Sequence, residues 1–239
     1  VKEKVIQFFA NNGLLFKSSL SDDTLNGTGS LNDTVTYVSA TTGVTVSLLD
    51  TSLQNTIGAG FDTEILNQGT DSVSTNLSYT LLANVENLTL TDASVINGMG
   101  NAQANIIIGN AAVNQLSGNA GNDKLDGKAG NNVLTGGTGN DIFKFTTKGH
   151  IDTITDYNVA NDTIQLENAI FTALTTTGTL AATQFRVGTK ALDPNDFIIY
   201  NKTAGTLFYD SDGNGVVAAT QIATVGSGLN LTNADIIVV

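Results

Sequence analysis

The sequence predicts an all-β solenoid built from short, stacked coils. Three observations carry that expectation. A nine-residue period runs through residues 100–144, segments rich in Thr, Val and Leu lie before and after it, and the turns use glycine, with 25 Gly against 1 Pro. A fixed short period is the mark of a repeat architecture, in which each unit is stable only when its neighbours cover it.

Written in nines, the period reads GNAQANIII, GNAAVNQLS, GNAGNDKLD, GKAGNNVLT and GGTGNDIFK. Gly100, Gly109, Gly118, Gly127 and Gly136 open the lines; the sixth places are Asn105, Asn114, Asp123, Asn132 and Asp141. The eighth places are Ile107, Leu116, Leu125, Leu134 and Phe143. Six residues rich in Gly and Asn suit a turn that needs φ > 0, which Gly adopts freely and Asn tolerates. The remaining three form a strand whose middle side chain points inward. Two lines then close one coil of ~18 residues, and coils stack ~4.8 Å apart through parallel ladders. Sixth-place acids pile up along each edge, where like charges repel unless a cation separates them. Carboxylate and turn carbonyl oxygens suit Ca²⁺, which takes six to eight oxygen ligands in flexible geometry.

Composition narrows the function classes. The net charge is −12, and 18 of the 22 acids are Asp, the short carboxylate that fits tight turns. Such a chain repels phosphate, which argues against nucleic acid as a partner. Cysteine is absent, so disulfides do not staple the turns, and metal-dependent folding is the alternative outside the cell. No apolar run is long enough to span a bilayer as a helix. The opening VKEKVIQFFANNG lacks a signal-peptide pattern and a Met, which suggests a piece of a longer protein.

The five lines resemble the nonapeptide repeats of the RTX (haemolysin-type calcium-binding) family, whose consensus is G-G-x-G-x-D-x-U-x with U apolar. The resemblance implies a right-handed parallel β-roll that binds calcium between same-side turns two repeats apart. Carried onto this chain, one edge holds Asn105, Asp123 and Asp141, and the other Asn114 and Asn132. The strongest site is then expected between Gly118, Ala120, Gly121 and Asp123 of one turn and Gly136, Thr138, Gly139 and Asp141 of the next. The Asn edge departs from the consensus: its amide oxygens either coordinate calcium more weakly or satisfy the turn by bonding to backbone.

Taken in order, residues 1–20 place Val5, Ile6, Phe8 and Phe9 on a helical face ended by Asn11-Asn12-Gly13. The expectation is a short helix capping the first coil, or the tail of an upstream domain. Residues 21–99 repeat the theme loosely, with Asp23, Asp33 and Asp71 each two places before an apolar residue and Gly27-Thr28-Gly29 as turn glycines. TVTYVSA, GVTVSLLD and YTLLANVENLTLTD read as strands, giving irregular roll-like coils or an ordinary β-sandwich. Residues 100–165 form the regular roll. After Lys144 the register slips, but Asp152-Thr153-Ile154 and Asp162-Thr163-Ile164 resume the pattern. This stretch resembles the segment closing the roll in serralysin-type proteases and alginate epimerase modules, and Asp152 is a candidate ligand on the edge opposite Asp141. Asp156 and Asp162 fit turn or ligand roles equally. Residues 166–239 lose the repeat and should form a β-rich cap, with a hairpin turning at Thr203-Ala204-Gly205. Asp210-Ser211-Asp212-Gly213-Asn214-Gly215 matches the opening of an EF-hand loop, but Gln221 stands where the bidentate Glu belongs, and a hairpin turn is the expectation. The ending Ala234-Asp235-Ile236-Ile237-Val238-Val239 resembles the C-terminal signal of type I secretion substrates, and also reads as a final edge strand.

No catalytic constellation emerges. His150 is the only histidine, no G-x-S-x-G elbow occurs, and no thiol is available. The expectation is a non-enzymatic calcium-binding module of a larger exported bacterial protein, secreted or at the cell surface, with calcium and an ABC-transporter secretion machinery as partners. The alternative is an adhesin or surface-layer segment that binds polysaccharide, ice or neighbouring copies; it predicts an exposed row of Thr or aromatic residues, whereas the outward strand places in 100–144 are mixed (Ile106, Gln115, Lys124, Val133, Ile142).

Overall fold

The computed structural model describes residues 70, 72–83 and 85–239, together with the strands Leu15–Ser18, Leu25–Gly27, Thr34–Tyr37 and Val46–Leu48. The expected N-terminal helix falls outside these residues. Two sheets of mainly parallel strands face each other. The first stacks Leu15–Ser18, Thr34–Tyr37, Ser72–Thr75, Asn87–Leu90, Ile106–Ile108, Lys124–Asp126, Ile142–Phe145, Thr163–Leu166 and Ile236–Val238, closed by antiparallel Gly178–Thr179. The second stacks Tyr79–Thr80, Gly98–Met99, Gln115–Ala120, Val133–Thr138 and Asp152–Ile154, then runs on through Thr220–Thr224, Thr206–Tyr209, Ile198–Asn201 and Phe185–Val187. The chain alternates between sheets with every nonamer, so consecutive nonamers never pair directly. Asn26 and its neighbours pair in parallel with Val46–Leu48, so Gly27 ends a strand instead of sitting in the expected turn.

Registers show the period at work. Lys124 pairs with Ile106 and Ile142, and Gln115 with Val133, each one coil of two nonamers away. Eighth-place side chains therefore stack in columns. Val73, Leu88, Ile107, Leu125, Phe143, Ile164 and Ile236 descend one sheet in register, and Leu116, Leu134 and Ile154 the other, all buried. Each such side chain contributes roughly 1.5–3 kcal/mol by leaving water, but only because the coils above and below cover it.

The C-terminal residues extend the stack. Ile198–Asn201 and Thr206–Tyr209 form the expected hairpin, with Gly205 at φ 72 in its turn. The Asp210–Gly215 loop joins two antiparallel strands, as a hairpin connection does. The expected final edge strand is not at an edge. Ile236–Val238 lies between Thr163–Leu166 and Gly178–Thr179, because its apolar column needs cover on both sides. Helix among the described residues is confined to two 3-10 turns, Ala182–Gln184 and Asn233–Asp235.

Candidate metal centre

Three turns share one shape, and the sequence dictates which. At second and fourth places the backbone is left-handed in 118–123 (Asn119 φ 77, Gly121 φ 115), 127–132 (Lys128 φ 60, Gly130 φ 90) and 136–141 (Gly137 φ 101, Gly139 φ 144). The fourth place must be glycine for space as well: a Cβ on Gly139 would overlap the Gly121 carbonyl oxygen. In the first two lines that place is Gln103 or Ala112, which avoid this conformation. Those turns close differently. Asn101 accepts from Gln103 N–H at 2.8 Å and donates to Leu82 and Val85 carbonyls, and Asn110 does the same work against Ala112, Thr91 and Ser94.

Sixth-place side chains form two ladders. On one edge Asn105 N–H donates to Asp123 Oδ1 (2.7 Å), Asp123 N–H to Asp141 Oδ1 (2.9 Å) and Asp141 N–H to Asp162 Oδ1 (3.0 Å). On the other, Asn114 N–H donates to Asn132 Oδ1 (2.8 Å) and Asn132 N–H to Asp152 Oδ1 (2.9 Å). The structure thus stacks Asp152 on the Asn edge and adds Asp162 to the Asp edge. Asp156 accepts from Gly136 and Gly137 N–H and so closes the turn that carries Asp141.

The two edges differ in what is left over. Asp123 Oδ2 and Asp141 Oδ2 are buried and have no hydrogen-bond partner. A Cβ placed on Gly118 would lie 2.6 Å from Gly136 O and closer still to Asp123 Oδ2, so a carboxylate and a carbonyl oxygen converge where glycine leaves room. Burial pushes the Asp123 carboxyl up to about 6, with the Asp141 charge adding to it and the Asn105 N–H opposing. Burial raises Asp141 as well, aided by the charges of Asp162 and Asp156. Asp152 is also pushed up to about 6, again chiefly by burial. Unpartnered buried carboxylate oxygens are costly, and a hard cation removes that cost by direct coordination. Calcium therefore fits the Asp turns. Among the described residues no three His, Asp or Glu side chains converge on one point, so carboxylates alone do not complete a calcium shell there.

The raised carboxyls set a pH dependence for the metal-free chain. A carboxyl whose folded pKa lies above its ordinary value of 3.8 favours folding when protonated. That contribution is complete below about 4 and is lost as pH rises through about 6. Metal-free protein should gain β signal in circular dichroism when taken from pH 7.5 to pH 5. An unchanged spectrum would show that these carboxyls do not oppose folding.

A parallel two-sheet roll whose glycine turns stack carboxylates along one edge defines a calcium-type β-solenoid. Comparison with known proteins agrees. The RTX calcium-binding nonapeptide repeat (4 copies) matches residues 99–134 and 117–144, so this stretch carries RTX repeats, which are Ca²⁺-binding motifs. In this family the repeat is a structural module, not a catalytic one, and its members are typically exported. No curated protein matches the chain. Among solved structures, the solution structure of the AlgE6R3 subunit from the Azotobacter vinelandii mannuronan C5-epimerase is 21% identical, with a TM-score of 0.38, over 62% of this chain and 80% of that one. No helix among the described residues is long and apolar enough to cross a membrane.

Proposed function

We propose that this chain is a calcium-driven folding module of a larger exported protein, and that Asp123 and Asp141, with oxygens of Gly118, Ala120, Gly121, Gly136, Thr138 and Gly139, hold the principal ion. The observation that carries it is the pair of buried, unpartnered Oδ2 atoms at the Asp turns. Inside a cell calcium is scarce, and repulsion along the acidic edge keeps the chain unfolded and threadable for a type I transporter. Outside, millimolar calcium exceeds a dissociation constant of order 10⁻⁴ to 10⁻³ M, which is ordinary for extracellular modules. Binding free energy then becomes folding free energy. The segment Asp235-Ile236-Ile237-Val238-Val239 is open to a transporter before folding and contributes the strand Ile236–Val238 afterwards. Circular dichroism with and without chelator tests this: calcium should restore a β spectrum that chelation at neutral pH abolishes. A fully folded metal-free chain at pH 7.5 would refute it.

A second reading has one observation in its favour. Ninth-place side chains Ser117, Thr135 and Thr155 line the outer face of the second sheet, with Thr135 and Thr155 hydroxyls 2.8 Å apart. Beside them Tyr79, Thr80, Asn97, Met99 and Gln115 border a shallow concavity of about 320 Å³. A hydroxyl- and amide-lined strip without charge suits a neutral polysaccharide, and a glycan array probed with the calcium-loaded chain separates this role from folding alone.

A further inference from the structure

We infer that calcium is confined to the edge of Asp123 and Asp141, and that on the opposite edge the carboxamide nitrogen of Asn132 takes the place of the ion. This rests on the reading of the roll as a calcium module and divides it between its two sides.

The comparison is between turns of one shape. In 118–123, 127–132 and 136–141 the second and fourth residues are alike left-handed, so the three turns follow the same backbone course. At the two Asp turns one carboxylate oxygen of each acid meets no donor. At the Asn turn, Asn132 Nδ2 faces Ala129 O (3.2 Å), Gly130 O (3.1 Å) and Asp152 Oδ1 (3.0 Å), the last also receiving Asn132 N–H. Two turn carbonyls and a carboxylate converging on one centre are the donor set expected of a calcium site, and here that centre is an NH₂ group of the chain itself. Asn132 Oδ1 is engaged too, by Asn114 N–H at 2.8 Å. Asp152, the carboxylate of this ladder, thus has its Oδ1 met by N–H donors rather than left bare.

The other amides on the ladders are equally occupied. Asn114 accepts from Asn110 N–H and donates to Ile96 O and Asn110 Oδ1, and Asn105 accepts from Asn101 N–H and donates to Val85 O. Neither needs an ion to satisfy it. One edge is therefore closed by amides at any calcium concentration, while the other waits for metal.

Calcium counting by native mass spectrometry tests the division. Asn132→Asp removes the NH₂ group, frees Ala129 O and Gly130 O, and sets a second carboxylate next to Asp152; the variant should hold one calcium more than the wild type. An unchanged count would overturn the inference. A second measurement needs no variant: in the calcium-loaded wild type the Asn132 side-chain NH₂ should exchange with solvent far more slowly than exposed carboxamides do, by NMR. Exchange at the exposed rate would overturn it as well. A wild type that binds no calcium at all would instead sink the underlying reading of the module.

Discussion

Asp123→Ala and Asp141→Ala should each raise the calcium concentration at mid-folding by about tenfold or more, which corresponds to roughly 1.4 kcal/mol per tenfold. Each removes a carboxylate from the Asp edge, and the charge of the ligand set is what tunes calcium affinity. Each also breaks the ladder bond to the residue one coil back, Asn105 for Asp123 and Asp123 for Asp141. Asn132→Ala serves as the contrast. It costs stability through lost hydrogen bonds at Ala129, Gly130 and Asp152, yet should leave the number of bound ions unchanged. A calcium titration followed by circular dichroism, paired with ion counting, distinguishes the two. Equal loss of ions in all three variants would reject the assignment of the principal site to the Asp edge.

Leu125→Ala should destabilise the calcium-loaded roll by about 3 kcal/mol, within the roughly 2–5 kcal/mol seen when a fully buried leucine is truncated. Leu125 is fully buried and stands in register between Ile107 and Phe143. The gap cannot close by sliding, because the parallel ladder fixes the spacing of the coils. The Asp turns are untouched, so ion count at saturating calcium should stay at the wild-type value while the urea midpoint falls. An Ala variant as stable as the wild type would mean that the columns are not the core of the fold.

The regular part of this structure was legible because one number governs it. The nine-residue spacing of Ile107, Leu116, Leu125, Leu134 and Phe143 places each on the inside, and the structure buries all five. The opposite-edge placement of Asp123 and Asn132 follows from the same count. What escaped sequence reading lies where the spacing changes or where a partner is distant. Asp162 follows Asp141 by more than one regular coil, so its place on the Asp ladder is hidden by the longer turn, although Asp162-Thr163-Ile164 repeats the local pattern. Asn101 and Asn110 close their turns against carbonyls of the preceding coil, a role that needs the register to be known. The inner position of Ile236–Val238 depends on Gly178–Thr179, a pair of residues with no strand signature of its own.

The most direct test is the anomalous scattering of calcium in crystals grown with the ion. The account predicts a peak between the 118–123 and 136–141 turns, with Asp123 Oδ2 and Asp141 Oδ2 pointing to it. A well-ordered roll with no peak there, and those two oxygens hydrogen-bonded only to water, would contradict it.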